Sequence, residues 1–325
     1  MIIPEHWAEG RVQQRVGKKT VTVRRFGWSD ISRADAQAKA DVRAADALRR
    51  IVSGESLGRR ENKVSYNGAD GLPIREEIVG RHGDVVITRN CYGARCLNTP
   101  DVLFADVDLK APSVVLLKFI VIAAVNAVAF LLCVWLQSKV IVYVGLALSL
   151  WAAKAVSASM VKRWQRDGGK VEIAARRRID GFVRSHQNWR LRVYRTPAGF
   201  RVVALHKTFA PDEPEVAEVF KMLESDPVYV RMCKNQQCFR ARLTAKPWRV
   251  GIGTHIIPRP GVWPINPARL ADRIRWVESY EEVGKGFAAC RFVDEVGGGV
   301  ADPKVRTVVE VHDELSRANS GLPIA

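Results

Sequence analysis

An apolar stretch over residues 113–156, broken only at Gln137-Ser138-Lys139, constrains this chain more than any other feature. It reads Val114-Val115-Leu116-Leu117, then Phe119 to Leu136, then Val140 to Ala153, within a sequence that is otherwise charged. At 1.5 Å of rise per residue, each arm of a helical hairpin is ~25–35 Å long, enough to cross a ~30 Å hydrocarbon layer. Three polar residues link the arms too tightly for anything but an antiparallel pair. The expectation is an integral, multi-pass membrane protein with two transmembrane helices and both large flanking segments on one side. The competing expectation, a hairpin buried in a soluble core, needs two adjacent apolar runs of a length that soluble cores rarely hold.

The basic residues predict which side. Lys154, Lys162, Arg163, Arg166, Lys170, Arg176, Arg177 and Arg178 follow the second arm against Asp167 and Glu172, whereas the tip carries only Lys139. Flanks rich in Lys and Arg stay in the cytoplasm. The first residues, Met1 to His6, show neither the basic nor the apolar region of a signal peptide. The sequence thus predicts the cell inner (plasma) membrane, with both termini cytoplasmic. Lys118 and Lys154 lie near the cytoplasmic ends of the arms, where long side chains can snorkel to the interface. Asn126, midway along the first arm, is expected to hydrogen-bond to the second arm or to another copy of the chain.

Outside the hairpin, roughly 280 residues remain, enough for one large domain or two small ones. Alternation of β-branched and polar residues predicts a strand over 19–26, and apolar spacing of three or four predicts a helix over 32–53. Strand-like runs follow at 64–66, 74–79 and 85–88, and the strongest lies at 102–109. Beyond the membrane the pattern predicts a basic helix over 160–186, a β-hairpin from 189–194 and 200–206, helices over 213–224 and 226–235, and a strand over 239–244. An extended Pro-rich loop (257–267), a helix (270–282) and a strand (288–293) complete the reading. This order predicts an α+β fold with a mostly antiparallel sheet. The expected division is a first cytoplasmic part at 1–112, the transmembrane hairpin at 113–158, and a second part at 159–325 that forms one domain with the first.

The chain carries a formal net charge of +17 over 325 residues. Such an excess suits anionic lipid head groups or nucleic acid, and part of it is the topology-setting flank itself. The clearest cationic run is Arg240, Arg242, Lys246 and Arg249, with Trp248 among them, a pattern that suits a polyphosphate or a nucleic-acid backbone. A solvated strand face is the plainer alternative. Asp106 and Asp108 stand two apart at a strand end, so their carboxylates share a face, as a Mg²⁺ or Mn²⁺ site requires. Turn-forming aspartates at a strand end are the ordinary reading of the same pair. Cys91/Cys96 and Cys233/Cys238 repeat one spacing and supply four thiols, the number a tetrahedral zinc takes. Neither pair has the Gly or Pro context of a zinc knuckle, which favours buried free thiols. His206 ends the predicted hairpin and is placed to meet a phosphate.

Three of these segments, Phe104-Ala105-Asp106-Val107-Asp108, Val203-Ala204-Leu205-His206 and Phe292-Val293-Asp294, together resemble the palm core of archaeo-eukaryotic primase-like nucleotidyltransferases. The resemblance covers about a tenth of the chain. It implies metal ligation by Asp106, Asp108 and Asp294 and nucleotide-phosphate contact by His206. Leu205 stands where that family has a small polar residue, and the apolar hairpin separates the first two motifs. Two functions are therefore expected: a membrane-anchored basic cytoplasmic domain that binds an anionic partner (lipid head groups, nucleotide, nucleic acid or protein), or a metal-dependent nucleotidyltransferase-like or phosphoryl-transfer enzyme using Asp106 and Asp108.

Overall fold

A computed structural model describes residues 1–61, 72–109, 115–138, 140–166 and 168–325. The strand expected at 64–66 lies outside the described residues. The chain divides into two compact units, one made of Met1–Val107 with Ile179–Ala325 and the other of Asp108–Arg178.

The first unit opens with an antiparallel ribbon, β1 (His6–Val16) and β2 (Lys19–Ser29), turned at Gly17, whose φ of +60° favours glycine. Helix α1 (Arg33–Val52) follows, capped by the Ser32 side chain accepting from the Asp35 amide. Its buried stripe is Ala36, Ala40, Ala44 and Ala47, small residues that let the helix sit close on the ribbon. The ribbon answers with Gly10 and Gly27, where a Cβ would stand 2.3 Å from the Ala40 carbonyl oxygen and 2.2 Å from that of Ala36. Neither glycine can be replaced without moving backbone.

Two four-stranded sheets form the rest of this unit. One has the order β3-β4-β5-β9, from β3 (Glu77–His82), β4 (Val85–Arg89), β5 (Arg95–Thr99) and β9 (Phe239–Arg242), with every pair antiparallel. The other has the order β10-β7-β8-β6, from β6 (Phe104–Asp108), β7 (Leu191–Thr196), β8 (Gly199–Ala204) and β10 (Arg291–Val296). The strand before the apolar hairpin and the β-hairpin after it therefore share one sheet. Tyr229, on α6 (Pro227–Gln236), ties the sheets: its hydroxyl lies 2.9 Å from the Phe104 carbonyl on β6 and 3.0 Å from the Arg240 carbonyl on β9. Helices α5 (Pro214–Met222), α7 (Leu270–Gly284) and α8 (Pro303–Ser316) pack around them. The fold is thus α+β with antiparallel pairing, distributed over three sheets rather than one.

The second unit is dominated by α2 (Val115–Leu136) and α3 (Val140–Arg166), followed by α4 (Gly168–Ser185), whose C-terminal turns belong to the first unit. The helix expected as one piece over 160–186 is thus divided between α3 and α4. Both α2 and the first turns of α3 are long and apolar enough to cross a membrane, over Val115–Leu136 and Val140–Met160. They pack on each other through small and polar residues. Gly145 sits against Ala129, and Asn126 donates to the Ser149 hydroxyl at 3.0 Å and to the Ile122 carbonyl at 2.8 Å. Asn126 thus finds its partner in the second arm. Elsewhere the pair exposes its apolar side chains, Phe119, Phe130, Leu131, Trp135 and Trp151 among them.

Candidate functional site

A cavity that gathers charge lies in the first unit, where β6, β8 and β9 approach one another. Glu76, Asn90, Cys91, Tyr92, Cys96, Asp106, Arg201, Tyr229, Arg240 and Arg242 line a cavity of about 70 Å³. One water needs roughly 10–15 Å³ by such a measure, so there is room for several waters or one phosphoryl-sized group.

Each arginine has a different attachment. Arg201, on β8, grips Asp106 at two points, Nε to Oδ1 at 2.8 Å and Nη2 to Oδ2 at 3.2 Å. It also donates to the Arg242 carbonyl at 3.0 Å. Burial works against its charge, but Asp106 outweighs that and holds the guanidinium protonated. Arg240 pairs with Glu76, which also accepts from Thr88 at 2.7 Å. Its charge too is opposed by burial and secured by its neighbours Cys96 and Glu76. Arg242 differs: it is half-buried, its side chain is hydrogen-bonded to Tyr92, and its Nε is enclosed without a hydrogen-bond partner among the described residues. Tyr92 carries the cavity to its rim, where its ring meets Trp248 edge-on at 5.3 Å and Lys246 stands 5.3 Å over the Trp248 ring. Burial pushes the Tyr92 phenol up and keeps it neutral.

The structure brings Asp106, Arg240 and Arg242 together, with Lys246 and Trp248 at the rim, and leaves the other candidates elsewhere. Asp108 is the exposed last residue of β6. His206 packs beside Trp189 at 4.3 Å and Phe209 at 5.5 Å, and burial together with Lys207 lowers its basicity, as an aromatic-packed histidine rather than a cavity residue. Arg249 closes the short 3₁₀ turn Pro247–Arg249. Asp294 lies on β10, at the opposite edge of the sheet from β6. Three strand spacings of ~4.8 Å separate those edges, so Asp294 and Asp106 do not converge on one ion whose ligands stand at ~2.0–2.6 Å. Among the described residues no group of three or more His, Cys, Asp or Glu is placed to hold a metal. Cys91 lines the cavity, while burial raises the thiols of Cys91, Cys233 and Cys238, the last to about 12.

One cluster escaped the sequence reading. The Cys290 sulfur lies 3.9 Å from His312 Nε2, and His312 Nδ1 lies 3.1 Å from Asp313, which also accepts from the Tyr194 hydroxyl at 2.5 Å. Burial pushes the Cys290 thiol up, but His312 and Arg201 outweigh it and the net shift is downward. Cys290 and His312 are both fully enclosed, so this order of groups faces no substrate and acts as a polar lock within the core. The signal for its helix was present: Asp302-Pro303 as cap and first turn, then Val305, Val308, Val309, His312 and Ser316 at helical spacing. No protein-family model, curated protein or solved structure matches this chain, so its function rests on the geometry.

Proposed function

We propose that this is a two-helix membrane protein whose basic α+β body binds a small phosphorylated ligand in the cavity where Arg201, Arg240 and Arg242 meet. The carrying observation is the state of Arg242. Arg201 and Arg240 each have a carboxylate partner, whereas Arg242 brings a third guanidinium with a buried, unsatisfied Nε to the same small space. An unsatisfied buried donor costs ~1–3 kcal/mol, which an anion accepting from it would offset. Trp248, more than half exposed beside Lys246, offers a stacking face at the rim for a nucleobase.

The bilayer reading has its own support. A helix pair apolar on all sides and exposed over most of its surface needs a non-aqueous surrounding. Trp135 and Tyr143 flank the tip, where interfacial aromatics belong, and the cationic flank lies at the other end.

Calorimetric titration of the detergent-solubilised protein with inorganic pyrophosphate and with adenosine triphosphate tests the site. Both should bind, Arg242→Gln should weaken both at least ~10-fold, and Trp248→Ala should weaken only the nucleotide. Absence of heat with both ligands, or binding indifferent to Arg242→Gln, would remove the proposal.

A further inference from the structure

We infer that the outward face of the β1–β2 ribbon is a docking surface for duplex DNA, separate from the cavity. The register divides the ribbon cleanly. Ala8, Gly10, Val12, Val21, Val23 and Gly27 face α1, and the pairs Arg11↔Arg24, Gln13↔Thr22 and Arg15↔Thr20 face away from it. Arg11, Gln13, Arg15 and Thr20 are exposed, Lys18 stands in the turn, and Lys19, which pairs with Val16 on the other face, is exposed at the same tip. Across the whole ribbon the only carboxylate is Glu9, set against Arg11, Arg15, Lys18, Lys19, Arg24 and Arg25.

This charge is not a solvated surface in balance. On α1 directly behind, Asp35 is bonded to Lys39 and Asp46 to Arg49, and the helix still has five basic residues against three acidic ones, so nothing there offsets the ribbon's charge. On the ribbon, Arg11 stands directly opposite Arg24, an arrangement of like charges that weakens strand pairing. Glu9 reaches Arg24 only at 3.8 Å. An external polyanion is the partner that turns this unfavourable pairing into an attractive surface.

The shape selects among polyanions. Two strands ~4.8 Å apart, backed by a helix, fit face-down in the B-form major groove, ~12 Å wide and ~8.5 Å deep. The A-form major groove of duplex RNA is too narrow for such an element. Gln13, central on the face, has the amide that can pair with an adenine edge, while the flanking arginines meet phosphates. An anionic membrane is a poorer match, because this part of the face has no large apolar side chain to insert between head groups. The base of the ribbon plays no part in docking: Trp7 is buried there and the Arg75 guanidinium covers Phe26 at 3.6 Å.

Fluorescence anisotropy of a labelled short duplex DNA, titrated with the full protein in uncharged detergent, tests the inference. Wild type should bind with a steep salt dependence. The triple variant Arg11→Gln, Arg15→Gln, Arg24→Gln should lower the slope of log K against log salt by about 2–3, at ~0.9 per lost phosphate contact. The turn variant Lys18→Glu with Lys19→Glu, at two exposed positions, should abolish binding without altering the fold. Arg242→Gln should leave DNA binding unchanged, so failure here and failure of the cavity reading are distinguishable. Unchanged binding by either ribbon variant, equal affinity for duplex RNA, or capture by anionic phosphatidylglycerol vesicles with none by DNA would overturn the assignment.

Discussion

Glu76 and Arg240 form an ion pair in which both side chains are almost fully buried, 3% and 7% exposed respectively. Arg240 belongs to the cationic run that the sequence offered for phosphate, yet its charge is committed inside the protein. Desolvating both ions is costly, and their attraction offsets that cost only while both are present. Arg240→Ala should therefore destabilise the protein by ~3–5 kcal/mol, whereas Glu76→Leu with Arg240→Met should cost much less. Chemical denaturation of the three proteins in one detergent checks this; equal losses for single and double variants would contradict it.

Acid should loosen the core through Asp313. Burial opposes its charge, but His312, Tyr194 and Arg192 outweigh that and hold its carboxyl below the ordinary value of 3.8. A carboxyl depressed on folding contributes stability in full above its unfolded value, and that contribution is lost as pH falls through the folded one. Unfolding midpoints should thus fall steeply below about pH 4. Asp313→Asn should be less stable at neutral pH and show a flatter acid limb. A wild-type profile that stays level to about pH 2 would refute the assignment.

The hairpin orientation is open to direct labelling. With the basic flank inside, a single cysteine at Ser138 should react with a membrane-impermeant maleimide in intact cells, and one at Ser320 should react only after lysis. The reverse pattern would invert the topology, and reaction at neither site before lysis would place the tip away from the outer surface.

Packing within the hairpin should depend on Gly145. A Cβ at that position would stand 2.3 Å from the Ala129 Cβ, so Gly145→Leu should separate the helices, and Ala129→Gly should restore part of the loss. Removing the Asn126 bond through Ser149→Ala should cost far less, ~0.6 kcal/mol. Thermal unfolding in detergent ranks the three; a Ser149→Ala loss as large as that of Gly145→Leu would reverse the argument.

Much of this architecture is written locally. The helix expected at 32–53 is α1 at Arg33–Val52, with Ser32 as its cap, and the strand expected at 85–88 is β4 at Val85–Arg89. Those segments carry their own period and their own stop signals. Strand β1 has no clear signal because Glu9, Gly10, Gln13 and Gln14 blur its alternation, and β5 has none because both its faces are buried and Asn98 and Thr99 are among the buried residues. The cavity is less legible still. Asp106 looked like half of a metal pair because nothing near it in sequence reveals Arg201, which lies 95 residues further on. What a carboxylate does is decided by what folds against it, and here both buried arginine partners arrive from across the apolar hairpin.

The pairing of β6 with β8 also fixes an order of events. Residues 104–108 leave the ribosome first, then the whole apolar hairpin, and only afterwards the strand that β6 must join. The sheet cannot close, nor Asp106 find Arg201, until more than ninety further residues have been made. Whatever surrounding takes up α2 and α3 therefore receives them while β6 is still an unpaired edge. For this chain, lodging the hairpin comes before completing the body, and a delay in that first step leaves the sheet edge open to the wrong partner.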